Sequence, residues 1–326
     1  MPHVLIAGKI HDAGLDILKN APGFTYDLIH EVSVSSYAPF IHNADALLLR
    51  TQPLTRTEIE KAGKLKIVSR HGVGYDAVEL SPLNEKGIPL TVVGDVNSLS
   101  VAEHTISMLM TIAKHLHVYD GKIRSGNWNC RNNYDAIELA GRTLFIIGFG
   151  RIGREVARMA RCFNMKVVAY DPFVAARVFD DLAVERVEAL EKGLTSADAV
   201  TVHLPLQDDK PLIGQAEIAM LKPGAIVINT ARGGIVDESA LIEALKNGHI
   251  RGAGIDVLTQ EPPDINSPLL HASYHLLLSP HTAGLTQEAA MRMSVSAVNN
   301  IINYFNGTLD ETLIVNKREI SPAINI

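Results

Sequence analysis

The chain has 326 residues, room for about two domains, and at 47% apolar and 20% charged it has the material for full globular cores. A formal charge of −6 and the lack of any basic run argue against a nucleic-acid footprint. Two cysteines, Cys130 and Cys162, form no C-x-x-C, which speaks against a disulfide scaffold or structural zinc and fits a reducing cytoplasm.

MPHVLIAGKIHD at the N-terminus has no basic n-region and reads as a first strand, not a signal peptide. No stretch approaches the ~20 apolar residues of a membrane span. Val4–Ala7, Ala46–Leu49, Ile67–Val68 and Leu90–Val92 read as parallel strands, with helices between them started by Asp12 and by a Thr55/Glu58 capping box. This β/α alternation predicts a small doubly wound domain without a glycine fingerprint of its own, since His71-Gly72-Val73-Gly74 leads to Tyr75-Asp76. Ser100 and Glu103 look like another capping box, opening one helix from Val101 to about Gly121 that could bridge two domains. The polar segment from Arg124 to Glu138, centred on Trp128, reads as an arm suited to a subunit interface, and predicts a homodimer built on residues 101–140.

The densest signal runs from Thr143 to Asp171. A buried-strand run, Leu144 to Ile147, leads into Gly148, Gly150 and Gly153, a G-x-G-x-x-G, and then a helical pattern. Gly148 allows the tight turn, Gly150 lets backbone approach a pyrophosphate, and Gly153 lets helix pack on strand. The helix N-terminus, with Arg151 and Ile152, presents unpaired N–H groups to phosphate. A second strand, Val167 to Tyr170, ends at Asp171, 18 residues past the last glycine, where a carboxylate can accept from a ribose diol. The acid favours NAD over NADP, because it would repel a 2′-phosphate. Later strands are expected near Ala199–Val202, Ala225–Ile228, Gly254–Val257 and His275–Leu278, and a helix from Thr286 to about Asn306 returns to the first domain.

Arg232, Glu261 and His281 follow three successive late strands, at the edge where open α/β sheets bind ligands. Histidine can move a proton near neutral pH, a carboxylate can orient it, and guanidinium can grip a carboxylate substrate. Singly each has a bland reading as surface or loop charge. Their joint presence beside a dinucleotide fingerprint is what favours proton and hydride chemistry. The histidines show no metal-ligand spacing, so no metal is expected.

Over nearly its whole length the sequence resembles the D-isomer-specific 2-hydroxyacid dehydrogenases. The motifs are RHGVGYDAVEL (70–80), VNSLSVAEHTI (96–106), GFGRIGREVA (148–157), YDP (170–172), HLPL (203–206), NTARGGIVDESAL (229–241), GIDVLTQEPP (254–263) and SPHTAG (279–284). The resemblance implies an α/β fold of two doubly wound parallel-sheet domains. A Rossmann NAD-binding domain (100–285) would be inserted into a flavodoxin-like substrate domain (1–99 plus 286–326). It implies NAD as cofactor and a small 2-hydroxy or 2-oxo acid as substrate, while charge and hydropathy lead to no expectation of a membrane or nucleic-acid partner. It makes His281 the acid/base, paired with Glu261, and gives Arg232 the substrate's carboxylate and reacting oxygen. Val73 and Gly74 would offer N–H groups to that carboxylate, with Asn97 also at the substrate. Thr105, Thr230, Asp256 and Gly284 would touch the cofactor, Asp256 near the nicotinamide, while His203, Leu204 and Pro205 line the adenosine side. Asp76 matches a family acid but is read here as a helix N-cap.

Within the family the sequence looks most like 3-phosphoglycerate dehydrogenases, in which Arg50 and Arg70 match residues that grip phosphate and Arg131 could add a charge from a neighbouring subunit. His71 and Tyr75 depart from that pattern, standing where those enzymes usually carry smaller residues or Asn-flanked loops. The chain's end at Ile326 leaves no room for an appended regulatory domain, so no amino-acid feedback site is expected. Hydroxypyruvate or glyoxylate reduction is the rival substrate reading. An NAD-sensing corepressor, the rival of a different class, would need basic or Ser/Pro-rich tails that this sequence lacks.

Overall fold

Branched apolar side chains are stiff at χ1 and pack well on a pleated surface, so the short runs near the N-terminus favour strands. In the computed structural model, which describes residues 1–206, 210–272 and 275–320, they form β1 (His3–Ala7), β2 (Thr25–Ile29), β3 (Ala46–Leu49), β4 (Ile67–Arg70) and β5 (Leu90–Thr91). These make one parallel sheet in the order β2-β1-β3-β4-β5. The connecting helices are α1 (Asp12–Lys19), α2 (Val34–Tyr37), α3 (Arg56–Lys61) and α4 (Leu80–Glu85).

The next segment carries α5 (Ser98–Ala113), α6 (Leu116–Arg124), α7 (Arg151–Cys162), α8 (Ala176–Asp181), α9 (Leu190–Ser196), α10 (Gln215–Met220) and α11 (Glu238–Lys246). Its strands are β6 (Thr143–Ile147), β7 (Lys166–Tyr170), β8 (Glu185–Arg186), β9 (Ala199–Val202), β10 (Ala225–Asn229), β11 (Ile250–Ile255) and β12 (Leu276–Leu278). They pair, all parallel, in the order β12-β11-β10-β9-β6-β7-β8. The order reverses at β6, so the switch point lies between β6 and β9 at their carboxyl ends. The chain then adds α12 (Gln287–Phe305) and α13 (Lys317–Ile320) to the first sheet's unit. By contacts the chain divides into Met1–Asn97 with Thr286–Ile326, and Ser98–Leu285. Both units are doubly wound α/β, the seven-stranded Rossmann-type one interrupting the chain of the flavodoxin-like one.

Alternation along each strand supplies two cores per sheet. In the first unit Leu5, Leu47, Leu49 and Val68 face Tyr37, Ile41 and Ile59, while Val4, Ile6, Leu48 and Ile67 face Leu15, Leu18 and the α12 residues Met293, Ala297 and Ile301. In the second, Leu144, Ile146 and Ile228 pack under α5 and α7, and Phe145, Val200 and Val227 pack under α9, α10 and α11.

Several elements differ from expectation. The single helix from Val101 to about Gly121 is two helices, because His115 turns left-handed (φ 52). Its buried ring packs edge-on to His275 at 5.6 Å, with Arg251 Nη1 3.3 Å from Nε2. Burial and the Arg251 charge hold its pKa below the usual imidazole range. Ser100 does not cap; it lies buried inside α5, which begins at Ser98. α1 is capped by His11, whose Nδ1 accepts from Ala13 N–H, with Asp12 as its first residue. The Thr55/Glu58 pairing is present, the Glu58 carboxylate accepting from the Thr55 N–H and hydroxyl at 3.1 and 2.6 Å. Asp76 is no cap: α4 starts after Glu79, and Asp76 sits in the turn closed by Val78 N–H to Tyr75 O. β2 and β8 are edge strands whose polar residues hid them. β11 covers Ile250–Ile255, not Gly254–Val257; its two glycines weaken the strand pattern but admit a helix at close range. The end of the expected substrate domain, 321–326, lies outside the described residues.

Candidate active site

Every cofactor and acid/base candidate in the second unit stands at the carboxyl edge of the seven-stranded sheet. The fingerprint loop follows β6. Gly148 has φ 92, and a Cβ there would meet His203 O at 2.4 Å. A Cβ on Gly153 would meet Gly148 O at 2.2 Å, so helix and strand touch through hydrogen only. Gly150 differs: its Cβ direction meets nothing within 4 Å, and it sits at the N-cap of α7. No neighbour in the protein demands glycine there, whereas a pyrophosphate approaching the helix N-terminus would. Arg151 is exposed and Ile152 half-buried beside it. Asp171, after β7, accepts from Phe149 N–H and Phe173 N–H, each at 2.9 Å. The acid thus ties the fingerprint loop down while each oxygen keeps a lone pair for a diol.

Across the switch point, His203 N–H bonds Ile147 O at 2.7 Å. Its Nε2 lies 3.0 Å from Thr201 Oγ1, and its Nδ1 is buried without a protein partner. Burial pushes its pKa to about 3, so the ring is neutral. Pro205 is exposed next to it. Thr105 and Thr230 are both buried and hydrogen-bonded to each other at 2.8 Å. Because Thr105 donates to Val101 O, Thr230 must be the donor between them. The two hydroxyls link α5 to the loop after β10.

Arg232 lies in that loop. Asn229 shapes it, Oδ1 accepting from Ala231 N–H at 3.0 Å and Nδ2 donating to Arg232 O at 2.8 Å. Arg232 Nη1 donates to Ala231 O at 2.7 Å. Gly233 brings this loop against the one after β11, since a Cβ would meet Leu258 O at 2.0 Å. In the latter loop Thr259 donates from its N–H and hydroxyl to Glu238, the first residue of α11, at 2.7 and 2.8 Å, and Leu258 N–H donates to Glu261 Oε1 at 2.9 Å. The other oxygen, Glu261 Oε2, is 2.8 Å from His281 Nδ1. Asp256, 1% exposed, accepts from Ser279 Oγ at 2.5 Å and from the N–H groups of Thr282 and Ala283 at 2.9 Å. It anchors the turn that holds His281 and Gly284.

The first unit holds the substrate candidates. Leu49 pairs with Arg70 across β3 and β4, so Arg50 and Arg70 leave adjacent strand ends. Arg50 Nη1 donates to Lys9 O at 2.9 Å, its Nε is buried without a partner, and burial lowers its pKa. Arg70 Nη1 donates to His71 O at 2.7 Å. His71 is buried, and burial, then Arg50 and Arg70, push its pKa to about 3. Its Nε2 is 2.9 Å from Ser294 Oγ, which already donates to Ala290 O and accepts from His11 N–H. His71 must therefore donate from Nε2. Val73 is exposed, as is Tyr75, and Asn97 is half-buried. Among the described residues no cluster of three or more His, Cys, Asp or Glu could hold a metal ion, and no helix is long and apolar enough to cross a membrane.

Residues 106–283 match the family model for the D-isomer specific 2-hydroxyacid dehydrogenase, NAD binding domain. The chain belongs to this family.

Among curated members, the D-3-phosphoglycerate dehydrogenase of Methanocaldococcus jannaschii is 35% identical over 96% of this chain but only 59% of its own length. The chain thus spans about three fifths of that relative. The glyoxylate reductase of Korarchaeum cryptofilum is 34% identical over 96% of both chains. The solved D-lactate dehydrogenase of Aquifex aeolicus, complexed with NAD and lactic acid, superposes with a TM-score of 0.86 at 26% identity, covering 96% of this chain and 98% of that one. The family's NAD fits the groups present: the open shoulder at Gly150, the two-lone-pair carboxylate of Asp171 and the unpartnered Nδ1 of His203 follow the adjacent strands β6, β7 and β9. Sequence reasoning did not single out Asn229, Glu238, Ser279 or His104, whose hydrogen bonds tie these loops together. For Asn229 and Ser279 a signal was present, a polar residue closing an apolar strand run.

Proposed function

We propose that the chain is an NAD-dependent oxidoreductase interconverting a small D-2-hydroxy acid and its 2-oxo acid, with 3-phospho-D-glycerate and 3-phosphooxypyruvate the preferred pair. The observation that carries the reading is the 2.8 Å contact between His281 Nδ1 and Glu261 Oε2, on the same sheet edge as the fingerprint loop. Glu261 holds the proton on Nδ1, which leaves Nε2 for substrate. In oxidation His281 would take the hydroxyl proton at Nε2; in reduction it would begin protonated and give that proton to the carbonyl oxygen. Arg232 would grip the carboxylate and stabilise charge growing on the same oxygen. A bound nicotinamide supplies the hydride acceptor or donor.

In this reading Gly148, Gly150, Arg151, Ile152 and Gly153 hold the pyrophosphate, Asp171 the ribose diol and His203 with Pro205 the adenosine side. Thr105, Thr230, Asp256 and Gly284 serve the remainder of the cofactor. Val73, Gly74 and Asn97 bind the acid, and Arg50 and Arg70 its phosphate. One observation favours glyoxylate or hydroxypyruvate instead: both guanidinium groups already donate to backbone carbonyls, of Lys9 and His71. The proposal includes a homodimer through residues 101–140. Supporting it, α6 buries no residue, Trp128 and Tyr134 are 64% and 87% exposed, and a cavity of about 410 Å³ opens between Tyr119, Ile123, Trp128, Cys130 and Arg131. It also includes a reducing, cytoplasmic setting, supported by the two free thiols.

The test is a steady-state screen of 3-phosphooxypyruvate, hydroxypyruvate and glyoxylate with NADH and with NADPH. NADH should be preferred, with the highest kcat/KM on the phosphorylated acid. Turnover of none of the three would overturn the oxidoreductase reading, and turnover of only unphosphorylated acids would replace the preferred pair.

A further inference from the structure

Two ladders face each other inside the second unit. On α5, His104, Met108 and Ile112 stand four residues apart and share one face. On β11 and just beyond it, Gly252, Gly254 and Asp256 stand two apart and share one face. Four residues of helix advance about 6 Å and two of strand about 6.6 Å, so the ladders stay in step for three rungs. The first two rungs are in contact: a Cβ at Gly252 would lie 2.7 Å from Ile112 Cγ2, and one at Gly254 would lie 3.0 Å from both Met108 Cβ and Sδ. Two missing side chains on the strand therefore let the helix settle at close range. The third rung is the consequence, with His104 Nε2 at 3.8 Å from Asp256 Oδ1 and 2.9 Å from Ser279 Oγ.

Proton counting fixes the direction of that last bond. Ser279 has one hydroxyl hydrogen and gives it to the Asp256 carboxylate at 2.5 Å. It can only accept from His104, so His104 carries its proton on Nε2. Asp256 also binds the N–H groups of Thr282 and Ala283, and its backbone oxygen accepts from His281 N–H at 2.7 Å. Ser279 O takes the same N–H at 3.1 Å. His281 lies between these anchors in a left-handed conformation (φ 52) that a non-glycine residue adopts at a cost.

We propose that His104 is a positioning residue: through Ser279 and Asp256 it locks the turn at His281 and so keeps the His281 ring on Glu261. The proposal rests on the reading of His281 as acid/base for its kinetic consequence, but not for its structural one. His104 touches neither substrate nor cofactor in this role. A misplacement of the acid/base of about 1 Å is enough to cost up to 10²-fold in turnover, so a remote clamp can matter to rate.

The test pairs nuclear magnetic resonance of ¹⁵N-labelled histidine rings, on the protein without ligands, with 2-oxo acid reduction kinetics. His104 should show the Nε2–H tautomer. In His104→Leu, and separately in Ser279→Ala, the His281 titration midpoint should fall, because a loosened carboxylate partner favours the imidazolium less. kcat should fall about 10-fold or more. His104→Gln, which keeps a side-chain N–H donor, should restore both, and the double variant should be no worse than the worse single one. A Gly254→Ala variant, which pushes α5 away without touching the polar groups, should move the midpoint the same way. An unmoved midpoint in folded His104→Leu and Ser279→Ala, or His104→Gln behaving like His104→Leu, overturns the proposal. If His104→Leu does not fold, His104→Gln and Ser279→Ala decide by the same criteria. Full turnover in His281→Ala would instead overturn the acid/base reading, and the titration would still decide the role of His104.

Discussion

His281 Nδ1 and Glu261 Oε2 are 2.8 Å apart although the two residues come from loops after different strands, β12 and β11. Both side chains are partly exposed, so neither is locked in the core. His281→Ala should lower kcat by on the order of 10²–10⁴-fold with little change in NADH affinity. Glu261→Gln should shift the pH–rate profile of reduction to lower pH, since the imidazolium loses its carboxylate partner. A profile that stays in place removes Glu261 from this role.

The three fingerprint glycines should separate by function. Gly148→Ala and Gly153→Ala meet backbone oxygens at 2.4 and 2.2 Å, and the first also needs a φ of 92. Each should cost more than about 1 kcal/mol of stability. Gly150→Ala meets nothing, so urea unfolding should move by less than about 0.5 kcal/mol while NADH binding weakens. Equal loss of stability in all three would mean that Gly150 is structural.

Arg50 offers a test of the phosphate. A charge-assisted bond contributes about 1.5–3 kcal/mol before non-additivity, so Arg50→Ala should cost roughly 10–150-fold in kcat/KM for 3-phosphooxypyruvate. Glyoxylate reduction should barely change. If both substrates fall together, the bond from Arg50 to Lys9 O is the one that matters.

His71 and His203 make stability depend on pH. Burial, aided at His71 by Arg50 and Arg70, pushes both to about 3, against about 6.5 when unfolded. Between those values the unfolded chain binds more protons, so the contribution is complete above about pH 6.5 and is lost as pH falls toward 3. The slope is at most about 1.4 kcal/mol per pH unit for each ring. His71→Gln keeps a donor for Ser294 Oγ and removes one titration, so its urea midpoint should fall less than the wild type's between pH 7 and pH 5. An equal fall would show that His71 does not carry this dependence.

The amino-acid sequence by itself determined the β/α alternation, the Gly148–Gly150–Gly153 turn, its partner acid Asp171, and the order of Arg232, Glu261 and His281. Those are local signals: periodicity, turn chemistry and a polar residue after an apolar run act over a few neighbouring positions. Only the tertiary structure shows that α5 ends before a left-handed His115, whose ring meets a ring and a guanidinium more than a hundred residues further on, His275 and Arg251. It also decided that His104 reaches Asp256. Gly252 and Gly254 read locally as a poor strand, and His104 as one of 13 histidines. Their meaning comes from two ladders of nearly equal rise lying face to face, a relation between surfaces about 150 residues apart that no local pattern encodes.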